Sequence, residues 1–65
     1  MSEEVIDHIR GIHYISLKAM NAVAKQIREG RWDAQIAKVP ELGVQGVADL
    51  ILLMAEQSYG WPQSD

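Results

Sequence analysis

Cysteine is absent from this chain of 65 residues, and no motif in it constrains the fold as much as that absence. A polypeptide so short buries only about 60% of the surface its unfolded form exposes, so its core must be stapled or shared. Disulfides are ruled out, and two histidines without thiols do not build the usual closed zinc site. Sharing a core with a second copy is the remedy left. Hydrophobic residues make up 48% of the chain, too many for disorder. The longest unbroken apolar run, Leu50 to Ala55, is six residues, against the roughly eighteen that a bilayer span needs. A soluble protein is expected, with no membrane contact. The opening residues do not read as a leader, and the cytoplasm is the expected compartment.

Charge is distributed unevenly. Six Lys and Arg stand against nine Asp and Glu, for a formal net charge of -3, which speaks against a dedicated nucleic-acid binder. All the basic residues lie at or before Lys38, a segment that sums to +1, and beyond it Glu41, Asp49, Glu56 and Asp65 give -4. Opposite signs on two segments suit antiparallel packing. Gly30, then Pro40, Gly43 and Gly46, then Gly60 and Pro62 punctuate two helices.

The first helix is expected from about Ser2, as N-cap, to Glu29, with Gly30 at the position that favours positive φ. Glu3, Glu4 and Asp7 open it and Lys25 and Arg28 close it, as the helix dipole prefers. Glu3, Asp7, Arg10, Lys18, Asn21, Lys25 and Arg28, with Tyr14 filling one gap, trace a single solvent stripe. The rest of the circumference, including Val5, Ile9, Ile12, His13, Leu17, Met20 and Ile27, is an apolar band wider than one partner helix covers. Gly11 in that band is expected to permit a close helix crossing.

The second helix is expected from about Val44 to Tyr59, with Gly60 after it and Trp61 folding back on its last turn. Its solvent stripe is Gln45, Asp49 and Glu56, interrupted by Leu52, and most other positions are apolar. One antiparallel partner leaves such a helix with a bare apolar face too large for a soluble monomer. The fold expected is therefore all-α, a helix-loop-helix hairpin that forms a homodimeric four-helix arrangement. Its dimer interface is assigned to Ile9, Ile12, Leu17, Met20, Leu50, Leu53 and Met54. Residues 30–43 form the connector, where Asp33 caps one short turn, Ala34 to Lys38, and Val39, preceding Pro40, is extended.

No catalytic constellation is evident. His8 and His13 are five residues apart, on different faces of a helix, so a metal pair is not expected. Ser16 and Ser58 have no base at a readable spacing, and Gly43 and Gly46 lack the lysine of a phosphate loop. An enzyme is not expected, and neither is a cofactor or a metal. Arg31 and Trp32, just past the first helix, are residue types that dominate protein–protein binding energy; they are assigned to a partner surface with Tyr14 and Arg28. The competing roles are structural, Arg31 neutralising the helix end and Trp32 plugging the hairpin. The alternative function is a dimer that binds RNA or DNA through Arg10, Lys18, Lys25 and Arg28. Asp7 near Arg10 and Glu29 near Lys25 also fit an ordinary mixed-charge face.

Over IREGRWDAQIAKVPELG, Ile27 to Gly43, and the following VADLILLMAE, the chain resembles the small anti-quorum-sensing proteins encoded early by Mu-like phages of Pseudomonas. The resemblance lies in size, in a helix-loop-helix layout and in the place of Arg31 at the end of the first helix. It implies a non-enzymatic helical dimer that binds a host LuxR-type transcription regulator, blocks its DNA binding and also restrains a type IV pilus assembly ATPase. Arg31 carries over as a partner contact. Where those proteins can have an aromatic residue late in the connector, this chain has Val39, a departure that bears on the pilus activity.

Overall fold

Sixteen positions into the chain, a serine hydroxyl starts a new helix. Ser16 sits in extended backbone (φ -71, ψ 155) and accepts the Ala19 N–H at 3.1 Å, while its carbonyl takes Met20 N at 3.0 Å. A side-chain oxygen that satisfies an orphan N–H of the first turn is what defines an N-cap. The helix before it has already closed: Gly11 N and Ile12 N bond back only three residues, to His8 and Ile9 carbonyls, each at 3.1 Å. The computed structural model describes residues 2–12 and 14–59. Its helices are α1 (Ser2–Arg10), α2 (Leu17–Arg28), α3 (Asp33–Ile36) and α4 (Val39–Tyr59), and the described residues contain no strand. His13 and the cap expected from Gly60, Trp61 and Pro62 lie outside the described residues.

The all-α class holds, but the first helix is not one rod from residue 2 to residue 29. A straight helix of that length would run about 42 Å, and the longest extent of the molecule is 33 Å. Gly11, Ile12, His13, Tyr14 and Ile15 are each poorer helix formers than Ala, and Ser16 offers a better use of its hydroxyl as a cap. Among the described residues no crossing helix meets Gly11 either: the nearest atom to a Cβ there is the carbonyl oxygen of His8, 3.5 Å away in its own helix.

The break lets α1 fold back along α2, so that Glu3 at the start of one meets Arg28 at the end of the other. α1 packs against both α2 and α4, and α3 packs against α4. The shared core takes Val5, Ile6 and Ile9 from α1, Val23, Ala24 and Ile27 from α2, Ile36 from α3, and Val47, Ala48, Ile51, Leu52 and Ala55 from α4. Successive steps of one and three give α1, α2 and α4 one buried seam each. The radius of gyration, 10.8 Å, matches the about 11 Å of a compact folded chain of this length. The apolar band that the sequence left bare is thus covered largely by the chain's own fold. The outward line of α4 also differs: Leu52 is 3% exposed and Leu53 is 54% exposed, so Leu53 stands between Asp49 and Glu56.

Two glycines set the ends of the connector. α2 closes with paired bonds from Gly30 N to Ile27 O and from Arg31 N to Gln26 O, both 3.1 Å, around Gly30 at φ +88. This is the Schellman arrangement, and its left-handed residue favours glycine. Asp33 does not cap α3: Trp32 holds the cap position without a side-chain bond. Val39 is not extended but opens the first turn of α4, where Pro40 needs no donor and Lys38 O accepts Glu41 N at 3.0 Å and Leu42 N at 2.8 Å. Gly43, at φ 77 and ψ 165, then interrupts α4 in a region open essentially to glycine alone. The regular run resumes at Val44, as the glycine spacing implied.

Candidate protein-interaction surface

Of the residues assigned to a partner surface, Arg31 and Trp32 are neighbours that point to opposite sides of one turn. Trp32 is 6% exposed and belongs to the core, and its indole N–H donates to Gln26 Oε1 at 3.0 Å. A buried Trp ordinarily satisfies its N–H in this way. Its role here is packing, and it offers no surface to a partner. Arg31 is exposed, carried on backbone that the Schellman bonds fix from one side and the buried indole from the other.

Arg28 is engaged within the chain. Its Nη2 and Nε donate to Glu3 Oε1 and Oε2 at 3.2 and 3.3 Å, a two-toothed pairing that suits a guanidinium and a carboxylate. The hydrogen bonds from Arg28 hold the Glu3 carboxyl below its ordinary value, and those to Glu3 hold the Arg28 guanidinium above its own. Both side chains remain in solvent, so the pair orients the helices more than it stabilises them.

Tyr14, 69% exposed, stands at the corner between α1 and α2, and Arg31 lies past the opposite end of α2. Twelve residues of α2 separate them by about 18 Å. The structure therefore does not bring Tyr14 and Arg31 into one small site.

The residues assigned to a dimer interface divide into three groups. Ile9 is 0% exposed and is covered by its own chain, so it has no surface left for a second copy. Ile12, Met20 and Met54 are half-buried against the core, and Met54 Sδ accepts Gln35 Nε2 at 3.7 Å; Leu50 is half-buried too. Leu17 and Leu53 are 65% and 54% exposed. Sequence reasoning missed Leu42, which is 49% exposed and lies over Gly46, its Cβ 3.2 Å from where a Cβ on Gly46 would sit. The signal available was Pro40, a residue suited to a helical first turn, which turns Leu42 from a connector residue into an extension of the α4 face.

The basic stripe is not continuous. Arg10 ends α1, while Lys18, Lys25 and Arg28 are on α2, and the guanidinium of Arg28 is already held by Glu3. All four are exposed. Among the described residues no polar or charged side chain is buried, no cluster of three or more potential metal ligands occurs, and no helix is long and apolar enough to cross a membrane. Tyr14, Leu17, Leu42 and Leu53 are the large hydrophobic side chains exposed among the described residues. In comparisons with known proteins, no family model, no curated protein and no solved structure matches the chain.

Proposed function

We propose that the chain is a non-enzymatic inhibitor that acts stoichiometrically, as a homodimer, by occupying the surface of another protein. The observation that carries this reading is the presentation of Arg31. Its side chain is exposed on a turn locked by two backbone hydrogen bonds and by the Trp32–Gln26 bond, so little backbone ordering entropy is lost when a partner engages it. Arginine on rigid backbone is a frequent source of binding energy.

The resemblance over Ile27 to Gly43 supplies the class of target, a LuxR-type transcription regulator whose DNA binding is blocked. The charge pattern suits such a target. A formal net charge of -3, with Glu41 exposed at the start of α4, favours encounter with a basic DNA-binding surface. The test is a titration of the chain into a LuxR-type regulator bound to its operator, read by mobility shift. The chain should release the DNA, and Arg31→Ala should need at least about tenfold more protein for the same effect, with circular dichroism checking that the variant is folded. Equal potency of Arg31→Ala removes that residue from the contact; no release by the unaltered chain removes the target class.

A further inference from the structure

Two outward lines of the fold match each other. On α2, Lys18, Ala22 and Lys25 are exposed and stand four and then three residues apart; on α4, Asp49, Leu53 and Glu56 are exposed at the same two steps. Such steps keep each trio on one side of its helix, about 10 Å from first to last. Each line reads charge, central side chain, charge. The signs are opposite, and the central side chain is small on α2 and large on α4. None of the four charged groups is in an ion pair among the described residues. Being exposed, the two lines do not cover each other within one chain.

We propose that α2 of one copy lies parallel on α4 of a second copy, with Lys18 on Asp49, Ala22 beneath Leu53 and Lys25 on Glu56, and that a two-fold axis makes this contact twice. The proposal rests on the homodimer reading above and gives it an interface. Pairing two α4 faces instead would set acid against acid, since α4 contains no Lys or Arg, and like charges in contact disfavour an interface. Pairing α4 with α2 removes that conflict. It also covers Leu53 and the neighbouring half-buried Leu50, and brings Leu17, at 65% exposure, to the rim. A stable pair covers roughly 800 Å² of each partner, about a fifth of the 4123 Å² exposed by the chain. A single helix face about 10 Å long falls below that area, so the contact has to be made twice.

Charge reversal with rescue tests the register, using the full chain and sedimentation equilibrium across a wide concentration range. The unaltered protein should sediment as two chains. Lys18→Glu with Lys25→Glu should raise the dissociation constant by at least about tenfold, and so should Asp49→Lys with Glu56→Lys. An equimolar mixture of these two variants should form pairs again, as should the chain that carries all four changes. Circular-dichroism melting of each variant checks that the fold survives. A monomeric unaltered chain, a reversal without effect, or a mixture that fails to pair overturns the proposal, and a mass that climbs steadily with concentration overturns its two-fold axis. If the unaltered chain is monomeric yet Arg31-dependent release of DNA persists, this inference fails together with the homodimer reading it rests on, and the inhibitor reading stands. If pairing and rescue occur without release of DNA, the inhibitor reading fails instead.

Discussion

Gln26 holds both residues of the Arg31–Trp32 pair: its side-chain oxygen accepts the Trp32 indole N–H at 3.0 Å and its backbone oxygen accepts Arg31 N at 3.1 Å. One residue in the last turn of α2 thus fixes the buried and the exposed member of the connector together. Gln26→Leu keeps the helix and its backbone bond but leaves the indole N–H without its acceptor. The expected loss is about 1–2 kcal/mol, read as a lower urea midpoint at unchanged slope. A variant as stable as the original would show that the bond contributes nothing.

Ser16→Ala distinguishes the folded-back α1–α2 pair from a continuous rod by the sign of its effect. In a continuous helix the change replaces a poorer helix former by the best one and adds up to about 0.5 kcal/mol of stability. At an N-cap it removes the acceptor for Ala19 N and costs about 1 kcal/mol. Thermal melting is expected to show the loss.

Gly30 and Gly43 have positive φ for different local reasons, and alanine at each separates them. At Gly43 no atom of the described residues lies within 4 Å of a new Cβ, so Gly43→Ala meets the backbone penalty, about 1–3 kcal/mol. At Gly30 the Cβ also comes 3.2 Å from Asp33 Oδ2. Gly30→Ala should therefore cost about 1–2 kcal/mol for the left-handed backbone and more for the contact with Asp33, and only the contact part should return in the double variant with Asp33→Ala. A double-mutant cycle of urea midpoints measures the coupling.

The Glu3–Arg28 pair predicts an acid dependence of defined sign. Hydrogen bonding from Arg28 holds the folded-state pKa of Glu3 below its ordinary 4.5. The pair's contribution is fully present above that ordinary value and is lost as the pH falls through the lowered one. Glu3→Gln should melt below the unaltered chain at neutral pH, and the gap should close as the pH is taken below 4.5. A gap that is constant across that range would show that Glu3 is not titrating against Arg28. High salt should narrow the gap at neutral pH as well.

Glycines made much of the layout legible. Gly30 and Gly43 occupy positive-φ positions, so the end of α2 and the start of the regular part of α4 could be read directly from the sequence. The break after Arg10 was hidden because Glu3, Asp7 and Arg10 keep in step with Lys18, Asn21 and Lys25 across it. A polar stripe reports phase, and a short interruption of suitable length preserves phase. The low helix propensity from Gly11 to Ile15 and the cap at Ser16 were the signals that outweighed it. On α4 the ambiguity between Leu52 and Leu53 is inherent: both lie an acceptable step from Asp49, and apolar residues on nearly every side leave the buried face to be chosen by the packing of α1 and α3. The candidate surface was legible as residue types at the end of α2. That Trp32 faces inward and Arg31 outward is decided by the Schellman turn, which periodicity does not describe.

The seating of Trp32 has a practical corollary. An indole 6% exposed emits at shorter wavelength than one in water, and the sequence contains only one other tryptophan, Trp61. Replacing Trp61 by Phe would leave Trp32 as the single tryptophan, between α2 and α3. Its red shift on unfolding would report the opening of the core, and any change on adding a target would reveal whether engagement at the adjacent arginine is felt inside the protein.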